Sequence, residues 1–328
     1  MRSMWVLAGL ALAAGALAAP DKMHAVEVGP DGLSVQTRPV PQPKAGEVLV
    51  KVRAAGVNPV DWKSAQRRFG MVPGTDVSGT IDSVGEGVTA WKPGDQVFGF
   101  ARESGSYAEY AVVPVTSLAK RPKSMTFEQA AGLPIAAETA YRALHEAGKI
   151  QRGQTVLIHG AAGGVGSAAV QIAKAAGARV IGTASPNNHD FVKSLGADQV
   201  IDYTSEKFED VVKNVDLVLN TANAETTARS IAVVKAGGAL VSIVGPADVQ
   251  ACAAAKIRCA RPERDKGATN AELLERVVDL AEAGKLKVYV EQAYPMADAA
   301  QAWEKSRAGH TRGKLVIRVS EGPTMKHQ

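Results

Sequence analysis

The chain has 328 residues, enough for two domains of ordinary size, and 46% of them are hydrophobic. A charged fraction of 22% with 32 glycines is typical of a folded α/β protein and argues against a disordered chain. The net charge of +5 is scattered, and the densest basic stretch, residues 256–266, contains no aromatic side chain, so we expect no nucleic-acid partner.

The first residues have the layout of a secretory signal peptide. Arg2 precedes an uncharged run at 3–20, and Ala16-Leu17-Ala18 matches a small-x-small cleavage site. This pattern predicts a leader over residues 1–22 and a periplasmic or secreted protein. The run is too short and too rich in alanine and glycine to predict a stable membrane span. The alternative is a true start at Met23, which would make the protein cytoplasmic.

Cysteine content limits the possible cross-links. Cys252 and Cys259 are the two cysteines of the chain, which excludes a disulfide framework and a four-cysteine zinc lobe. Their spacing allows one bridge without requiring it. We expect free thiols unless the chain is exported, in which case a bridge becomes plausible.

After the leader, the sequence predicts short β-strands. Residues 47–52, 80–84 and 107–113 alternate polar and apolar side chains with a period of two. Glycine and proline turn signals, such as Pro93-Gly94, separate these strands. Many short strands with closely spaced turns predict a small barrel.

From about Thr126 onward, strands alternate with helices, which predicts a parallel sheet covered by helices. The predicted strands are 155–159, 179–183, 199–202, 216–220, 239–244 and 314–319, and the predicted helices are 127–147, 165–176, 189–195, 225–234 and 271–283.

A glycine-rich loop lies between the predicted strand 155–159 and the helix that follows it. Against the dinucleotide-binding fingerprint, it keeps glycine at Gly163 and Gly166 and has Ala161 in the first position. Without side chains, the backbone can approach a pyrophosphate closely, and the helix N-terminus favours the anion. The alternative is a tight turn that binds nothing. The candidate pyrophosphate-binding residues are Ala161, Gly163, Gly164, Val165 and Gly166.

The end of the next strand distinguishes the two nicotinamide cofactors. An NAD site places a carboxylate there for the ribose 2′-hydroxyl. Residues 183–188 contain no carboxylate, and the small polar side chains of Ser185 and Asn187 would admit a 2′-phosphate. We therefore predict NADPH as the cofactor, with His189 as the nearest candidate cation.

The motifs occur in the order of a known family. The chain resembles the zinc-independent medium-chain dehydrogenases/reductases, and within them the quinone oxidoreductases (the zeta-crystallin-like family). The resemblance covers the chain from Met23 to Val319. Its motifs are Gly56-Val57-Asn58-Pro59-Val60-Asp61, Gly105-Ser106-Tyr107-Ala108-Glu109-Tyr110, and the segments 73–81, 84–88, 92–97, 160–166, 195–198 and 309–314.

The resemblance implies the fold and its division into domains. An α/β fold is expected, with a GroES-like β-barrel domain at 23–135, a Rossmann doubly wound parallel-sheet domain at 136–268, and a return of the chain to the first domain at 269–328. A cofactor cleft would lie between the two domains. Gly245, after the predicted strand 239–244, is a further candidate cofactor contact. The resemblance also implies a homodimer.

It further implies a site without zinc. In the zinc-dependent members a cysteine stands at the position of Asn58, and a His-Glu pair stands at Thr75 and Asp76. Neither Asn58 nor Thr75 has the chemistry of a catalytic zinc ligand, since such sites use cysteine, histidine and carboxylates. The segment 133–139, where the third ligand would stand, contains no cysteine.

The activity that the resemblance implies is hydride transfer from NADPH to a quinone or an α,β-unsaturated carbonyl compound. Asn58 is the candidate hydrogen-bond donor to the developing oxyanion, or else an Asn-Pro turn residue that binds its own backbone. Lys63 would reach the cleft or remain solvated. Thr139 would lie near the nicotinamide or bond its own helix. Two other functions stay open, an enoyl-thioester reductase and an NADPH-binding protein without turnover.

Overall fold

A two-stranded hairpin and two larger β-sheets form the frame of the computed structural model, which describes residues 19–263 and 267–319. Residues 1–18 of the predicted leader (1–22) lie outside the described residues, and Lys22, at the end of that range, begins the first β-strand. No helix in the described ranges is long and apolar enough to cross a membrane.

The first sheet and its hairpin contain strands from both ends of the chain. Their strands are β1 (Lys22–Gly29), β2 (Gly32–Pro39), β3 (Glu47–Val57), β4 (Asp76–Val84), β5 (Gln96–Phe100), β6 (Tyr110–Pro114), β7 (Leu118–Lys120), and two strands from the end of the chain, Val290–Pro295 and Lys314–Arg318.

The second sheet lies between these two groups in the sequence. Its strands are β8 (Thr155–His159), β9 (Arg179–Ala184), β10 (Gln199–Asp202), β11 (Val215–Asn220), β12 (Val234–Ser242) and β13 (Arg258–Ala260), so the strands at Val290–Pro295 and Lys314–Arg318 are β14 and β15.

The helices connect and cover the sheets. They are α1 (Pro59–Lys63), α2 (Phe127–Ala131), α3 (Pro134–Tyr141), α4 (Gly164–Ala175), α5 (His189–Ser194), α6 (Phe208–Val211), α7 (Ala224–Ser230), α8 (Val249–Ala254), α9 (Asn270–Glu282) and α10 (Ala299–Ala308), with a π-helical segment at Arg142–Ala147 and 3₁₀ turns at Ala65–Arg68, Val115–Ser117, Pro186–Asn188, Ile231–Val233 and Met296–Asp298.

The long strand β3 brings the two ends of the chain together. Along one edge it pairs with β4, and along the other it pairs first with β6 and then, near Val57, with β15. The register places Leu315 opposite Val57, so the residues just before β15 lie beside the residues just after β3. Lys314 and Asn58 therefore become neighbours although they are far apart in the sequence.

The second sheet is wholly parallel, with the strand order β10-β9-β8-β11-β12-β13. Val156 and Ile158 of β8 face one hydrophobic core and Leu157 faces another, because successive side chains of a strand point to opposite faces. The strand order reverses between β8 and β11, which creates a crevice at the carboxyl ends of these strands. The α/β class predicted from the sequence is confirmed.

One prediction about local structure is wrong. The predicted helix at 127–147 is broken into α2, α3 and a π-helical segment. Pro134 has no N–H to continue the hydrogen bonds of α2, so a new helix starts there.

The sequence left the pairing of the two cysteines open. In the structure, Cys252 of α8 and Cys259 of β13 form a disulfide with Cα atoms 6.1 Å apart. The turn that joins α8 to β13 brings them within the range of such a bond.

Candidate active site

A cleft of about 720 Å³ opens at the carboxyl ends of β8, β9, β11 and β12 and reaches the ends of β3 and α3. This volume lies within the roughly 300–1,000 Å³ typical of small-molecule sites. The first sheet contributes the segment after β3 and the segment before β15, and the second sheet contributes the glycine-rich loop. The cleft therefore joins residues from the two sheets.

The glycine-rich loop forms the wall of the cleft after β8. Gly160 has φ +68, a left-handed conformation that favours glycine, and Gly163 precedes α4 as its N-cap. The N–H groups of the first turn of α4 have no carbonyl partner within the helix, so they are available to an anion. Gly163, Gly164 and Val165 line the cleft, whereas Ala161 and Gly166 pack inside the protein.

Gly166, at the third glycine position of the dinucleotide-binding fingerprint, is required by the packing of the loop, as the motif predicted. A Cβ on Gly166 would lie 2.0 Å from the carbonyl oxygen of Gly160, which is far inside contact distance. A Cβ on Gly163 would lie 3.5 Å from the same oxygen, an ordinary contact. The loop thus needs glycine at 166 for its own packing, and glycine at 163 leaves room for a ligand. These residues fit a dinucleotide pyrophosphate.

The turn after β9 is held by an arginine that the sequence analysis did not select. Arg312 Nε donates to Asn188 Oδ1 at 2.7 Å, and its Nη2 donates to the carbonyl oxygen of Asn187 at 2.6 Å. Ser185 and Asn188 line the cleft, whereas Asn187 is exposed. The turn therefore has a fixed positive charge beside it, supplied by the segment before β15.

The other candidates for nucleotide binding, His189 and Gly245, are not among the residues that line the cleft. His189 does not line the cleft, and its Nε2 is buried without a hydrogen-bond partner among the described residues. Gly245 also lies outside the lining, whereas Ile243 and Val244 just before it belong to the lining. His159 faces the cleft from β8, and burial lowers its pKa to about 3, so its imidazole is neutral.

Asn58 also lies in the cleft wall and is 2% exposed. Its Nδ2 donates to Asp76 Oδ2 at 2.9 Å, and its Oδ1 accepts from Lys314 Nζ at 2.6 Å. The side chain thus bonds to β4 and to the start of β15, and it also forms a capping box with Asp61 at the start of α1. Its contacts to Asp76 and Lys314 therefore accompany the role of a turn residue and do not replace it.

Asp76 and Lys314 are buried groups of opposite charge on either side of this amide. Asp76 Oδ1 also accepts from the backbone N–H of Ile135 at the start of α3. Burial raises the pKa of Asp76 to about 6, while Lys314 and the hydrogen bond from Asn58 oppose that rise. Burial disfavours the charged ammonium and so lowers the pKa of Lys314 from its usual value, while the negative charges of Asp76 and Asp61 oppose this decrease. At neutral pH we expect Asp76 to be ionised.

Asp61 supports the same segment from behind. Its Oδ2 accepts from the backbone N–H of Asn58 at 2.8 Å and from the hydroxyl of Tyr107 at 3.0 Å. Burial raises the pKa of Asp61 to about 7. Asp61 does not line the cleft, so its role is to hold the Asn58 backbone in place.

We expect Asp61 to make the protein less stable as the pH rises from about 4 to about 7. In this range the folded state keeps a proton on Asp61 that the unfolded state, with a pKa near 3.8, has lost. The stability that protonated Asp61 contributes below its pKa in the unfolded state is therefore lost as the pH rises through its pKa in the folded state. In Asp61→Asn, an amide oxygen still accepts from Asn58 and Tyr107, but nothing titrates.

Denaturant unfolding from pH 4 to pH 8 measures this effect. The wild-type free energy of unfolding should decline relative to that of Asp61→Asn by up to about 1.4 kcal/mol per pH unit. As a control, Asp31→Asn changes an exposed aspartate between β1 and β2 and should follow the wild type. Parallel curves for the wild type and Asp61→Asn would contradict the prediction.

The remaining catalytic candidates differ in position. Lys63 lines the cleft near its mouth, is exposed, and has its Nζ 5.3 Å from the centre of the Trp62 ring. Thr139 lies outside the lining. Ile135 and Ala136 are the α3 residues that line the cleft, because Thr139 lies one helical turn further from the helix start. Within the described residues, no cluster of three or more His, Cys, Asp or Glu side chains could hold a metal ion.

Comparisons with known proteins agree with this architecture. Residues 44–123 match the family model "Alcohol dehydrogenase GroES-like domain", and residues 195–317 match "Zinc-binding dehydrogenase". The GroES-like part of the predicted fold is thereby confirmed. A chloroplast envelope quinone oxidoreductase homolog of Arabidopsis thaliana is 35% identical over 90% of this chain and 98% of its own length.

Two further relatives extend this result. An NADPH-dependent alkenal/one oxidoreductase, chloroplastic, of Arabidopsis thaliana is 35% identical over 85% of this chain and 73% of its own length. The solved structure of the quinone oxidoreductase from Coxiella burnetii aligns with a TM-score of 0.83 and 32% identity over 91% of this chain and 100% of that one. The chain therefore belongs to the quinone oxidoreductase family of the medium-chain dehydrogenases/reductases, and it is an oxidoreductase.

Proposed function

We propose that this protein is an NADPH-dependent reductase of quinones or α,β-unsaturated carbonyl compounds, and that it works without zinc. The observation that carries the proposal is one cleft that is lined both by the glycine-rich loop before α4 and by the buried Asn58 amide. The names of the relatives, quinone oxidoreductase and NADPH-dependent alkenal/one oxidoreductase, support the same substrate class.

The chemistry assigns separate tasks to the cofactor and to the residues that line the cleft. NADPH, when bound, supplies a hydride and leaves as NADP⁺. The acceptor gains that hydride at carbon or oxygen. The electron pair of the acceptor's π bond moves onto a carbonyl oxygen, and a proton taken from solvent completes the reduction. Asn58 would donate a hydrogen bond to this oxygen as negative charge develops. Lys63, at the mouth, would contact the outer part of the substrate.

Zinc independence is supported by the side chains that surround Asn58. The amide of Asn58 and the hydroxyl of Thr75 are poor zinc ligands compared with cysteine and histidine. The ammonium of Lys314 already lies 2.6 Å from Asn58 Oδ1 and beside Asp76. A metal ion here would have to displace or approach that cation, which Coulomb repulsion disfavours.

Turnover assays of the full chain test the proposal. We expect oxidation of NADPH with quinones or enones, a lower rate with NADH, and no loss of rate after treatment with a metal chelator. An enoyl thioester in the same panel tests the alternative substrate class. Tight NADPH binding without turnover on any acceptor would contradict the proposal and favour a binding protein.

The NADPH preference is expected to depend on Arg312. Arg312 does not itself line the cleft, but its guanidinium lies against Asn187 and Asn188, where we expect a 2′-phosphate to bind, and the turn contains no competing carboxylate. In Arg312→Gln, the Kd for NADPH should rise by roughly 10- to 100-fold, the usual value of a charged hydrogen bond, while the Kd for NADH should change little.

Fluorescence titration with each cofactor measures the two constants. Arg318→Gln is the matched control, since Arg318 pairs with Glu128 on the surface and lies outside the cleft. Equal weakening of NADPH and NADH in Arg312→Gln would show that Arg312 maintains the shape of the turn and does not recognise the phosphate.

A further inference from the structure

The orientation of the Asn58 amide is decided by its two charged neighbours. Lys314 Nζ lies 2.6 Å from Oδ1, and an ammonium can only donate a hydrogen bond. Asp76 Oδ2 lies 2.9 Å from Nδ2, and a carboxylate can only accept one. A half-turn of the amide would place its oxygen against the carboxylate and its N–H groups against the ammonium. The nitrogen and oxygen of the amide therefore have fixed places.

This arrangement leaves one donor on the cleft wall. Asn58 Nδ2 carries two hydrogens, and Asp76 accepts one of them. Among the described residues, Nδ2 makes no second hydrogen bond. Asn58 lines the cleft, and we expect a substrate oxygen to reach this second N–H.

The ammonium of Lys314 is itself held from several sides. It donates to the carbonyl oxygen of Val57 at 2.9 Å, and the backbone N–H of Lys314 donates to Tyr289 at 2.9 Å. The aliphatic stem packs on the glycine-rich loop, since a Cβ on Gly164 would lie 2.9 Å from Lys314 Cδ. The side chain is 6% exposed, so it cannot turn away into solvent.

We propose that Lys314 is a positioning residue of the hydride transfer, which polarises the Asn58 amide and keeps its free N–H directed to the substrate oxygen. This inference rests on the proposed function, in which Asn58 is the donor. A cation on the amide oxygen withdraws electron density from the N–H and makes it a stronger donor.

A double-mutant cycle tests this coupling. Lys314→Met removes the charge and keeps most of the stem, and we expect kcat to fall by about 10²-fold, the order found for loss of an oxyanion-stabilising donor. In the Asn58→Ala background, the same change should lower kcat by a much smaller factor, because the amide through which Lys314 acts is gone. The Kd for NADPH should stay near the wild-type value.

The control is Lys174→Met, which removes a lysine from an ion pair with Asp198 outside the cleft and should leave kcat unchanged. Lys314→Met leaves Asp76 without its cation, and the variant could fail to fold. The charge-balanced variant Lys314→Met/Asp76→Asn removes that problem, and its kcat should still be low because no cation polarises the amide.

The outcomes separate the inference from the proposed function. If Lys314→Met lowers kcat equally with and without Asn58, Lys314 acts independently and the inference is overturned. If Lys314→Met retains kcat while Asn58→Ala loses it, the inference fails and the donor role of Asn58 stands. If the wild type reduces no quinone or enone, the proposed function fails first, and the inference fails with it.

Discussion

Asn58→Ala is expected to lower kcat for quinone or enone reduction by about 10²- to 10³-fold, with little change in the Kd for NADPH. The amide lines the cleft, and its position is fixed by Asp76 and Lys314. Since its hydrogen bond to the substrate strengthens as charge develops, its loss should affect kcat more than binding. Steady-state kinetics together with NADPH titration measures both.

Asn223→Ala provides the matched control. Asn223 also lines the cleft, but its side chain caps α7 by accepting from the backbone N–H of Thr226. We expect this variant to keep its kcat and to lose about 1 kcal/mol of stability, the usual value of an N-cap. Full turnover in Asn58→Ala, with the same acceptor that the wild type reduces, would show that Asn58 is not the donor.

The second large effect concerns Gly163 and Gly166 of the glycine-rich loop, where we expect substitution by alanine to have different consequences. In Gly166→Ala, the new Cβ would lie 2.0 Å from the Gly160 carbonyl oxygen, and backbone atoms must move to relieve it. We expect the free energy of unfolding to fall by about 1–3 kcal/mol, together with weaker NADPH binding. Thermal or denaturant unfolding of the protein without cofactor measures the first effect.

Gly163→Ala should fold normally, because its Cβ would make an ordinary contact at 3.5 Å and its backbone is not left-handed. The new methyl group would occupy the space through which a pyrophosphate approaches the amides of α4. The Kd for NADPH should therefore rise by roughly 10- to 100-fold at unchanged stability. Wild-type affinity in Gly163→Ala would mean that the pyrophosphate binds elsewhere.

The alternation of buried side chains made much of the fold predictable. In β8, three successive apolar residues are buried on two faces, which requires helices on both sides, and the strand-helix rhythm around it then leads to a parallel sheet. The glycine-rich loop was equally predictable, because it joins one strand to the next helix and therefore consists of consecutive residues. Breaks between helices were harder to predict, because Pro134 divides a stretch whose composition favours a helix throughout.

The residues that complete the site could not be found in this way. Arg312 reaches Asn188 across 124 positions of the chain, and Lys314 reaches Asn58 across 256. Both belong to a segment whose resemblance to the family was visible, but no local pattern shows what its side chains contact. The disulfide between Cys252 and Cys259 depends on a turn whose geometry the spacing alone left open.

The sequence by itself determined the fold class, the dinucleotide loop and the candidate donor Asn58, because periodicity, small residues and family motifs act over neighbouring positions. The tertiary structure decided which charges surround that donor. Strand β15 pairs beside the end of β3, and this pairing buries an ammonium and a carboxylate on either side of one amide. Such a cluster exists only where strands from distant parts of the chain meet, since a buried charge requires partners that no single segment supplies.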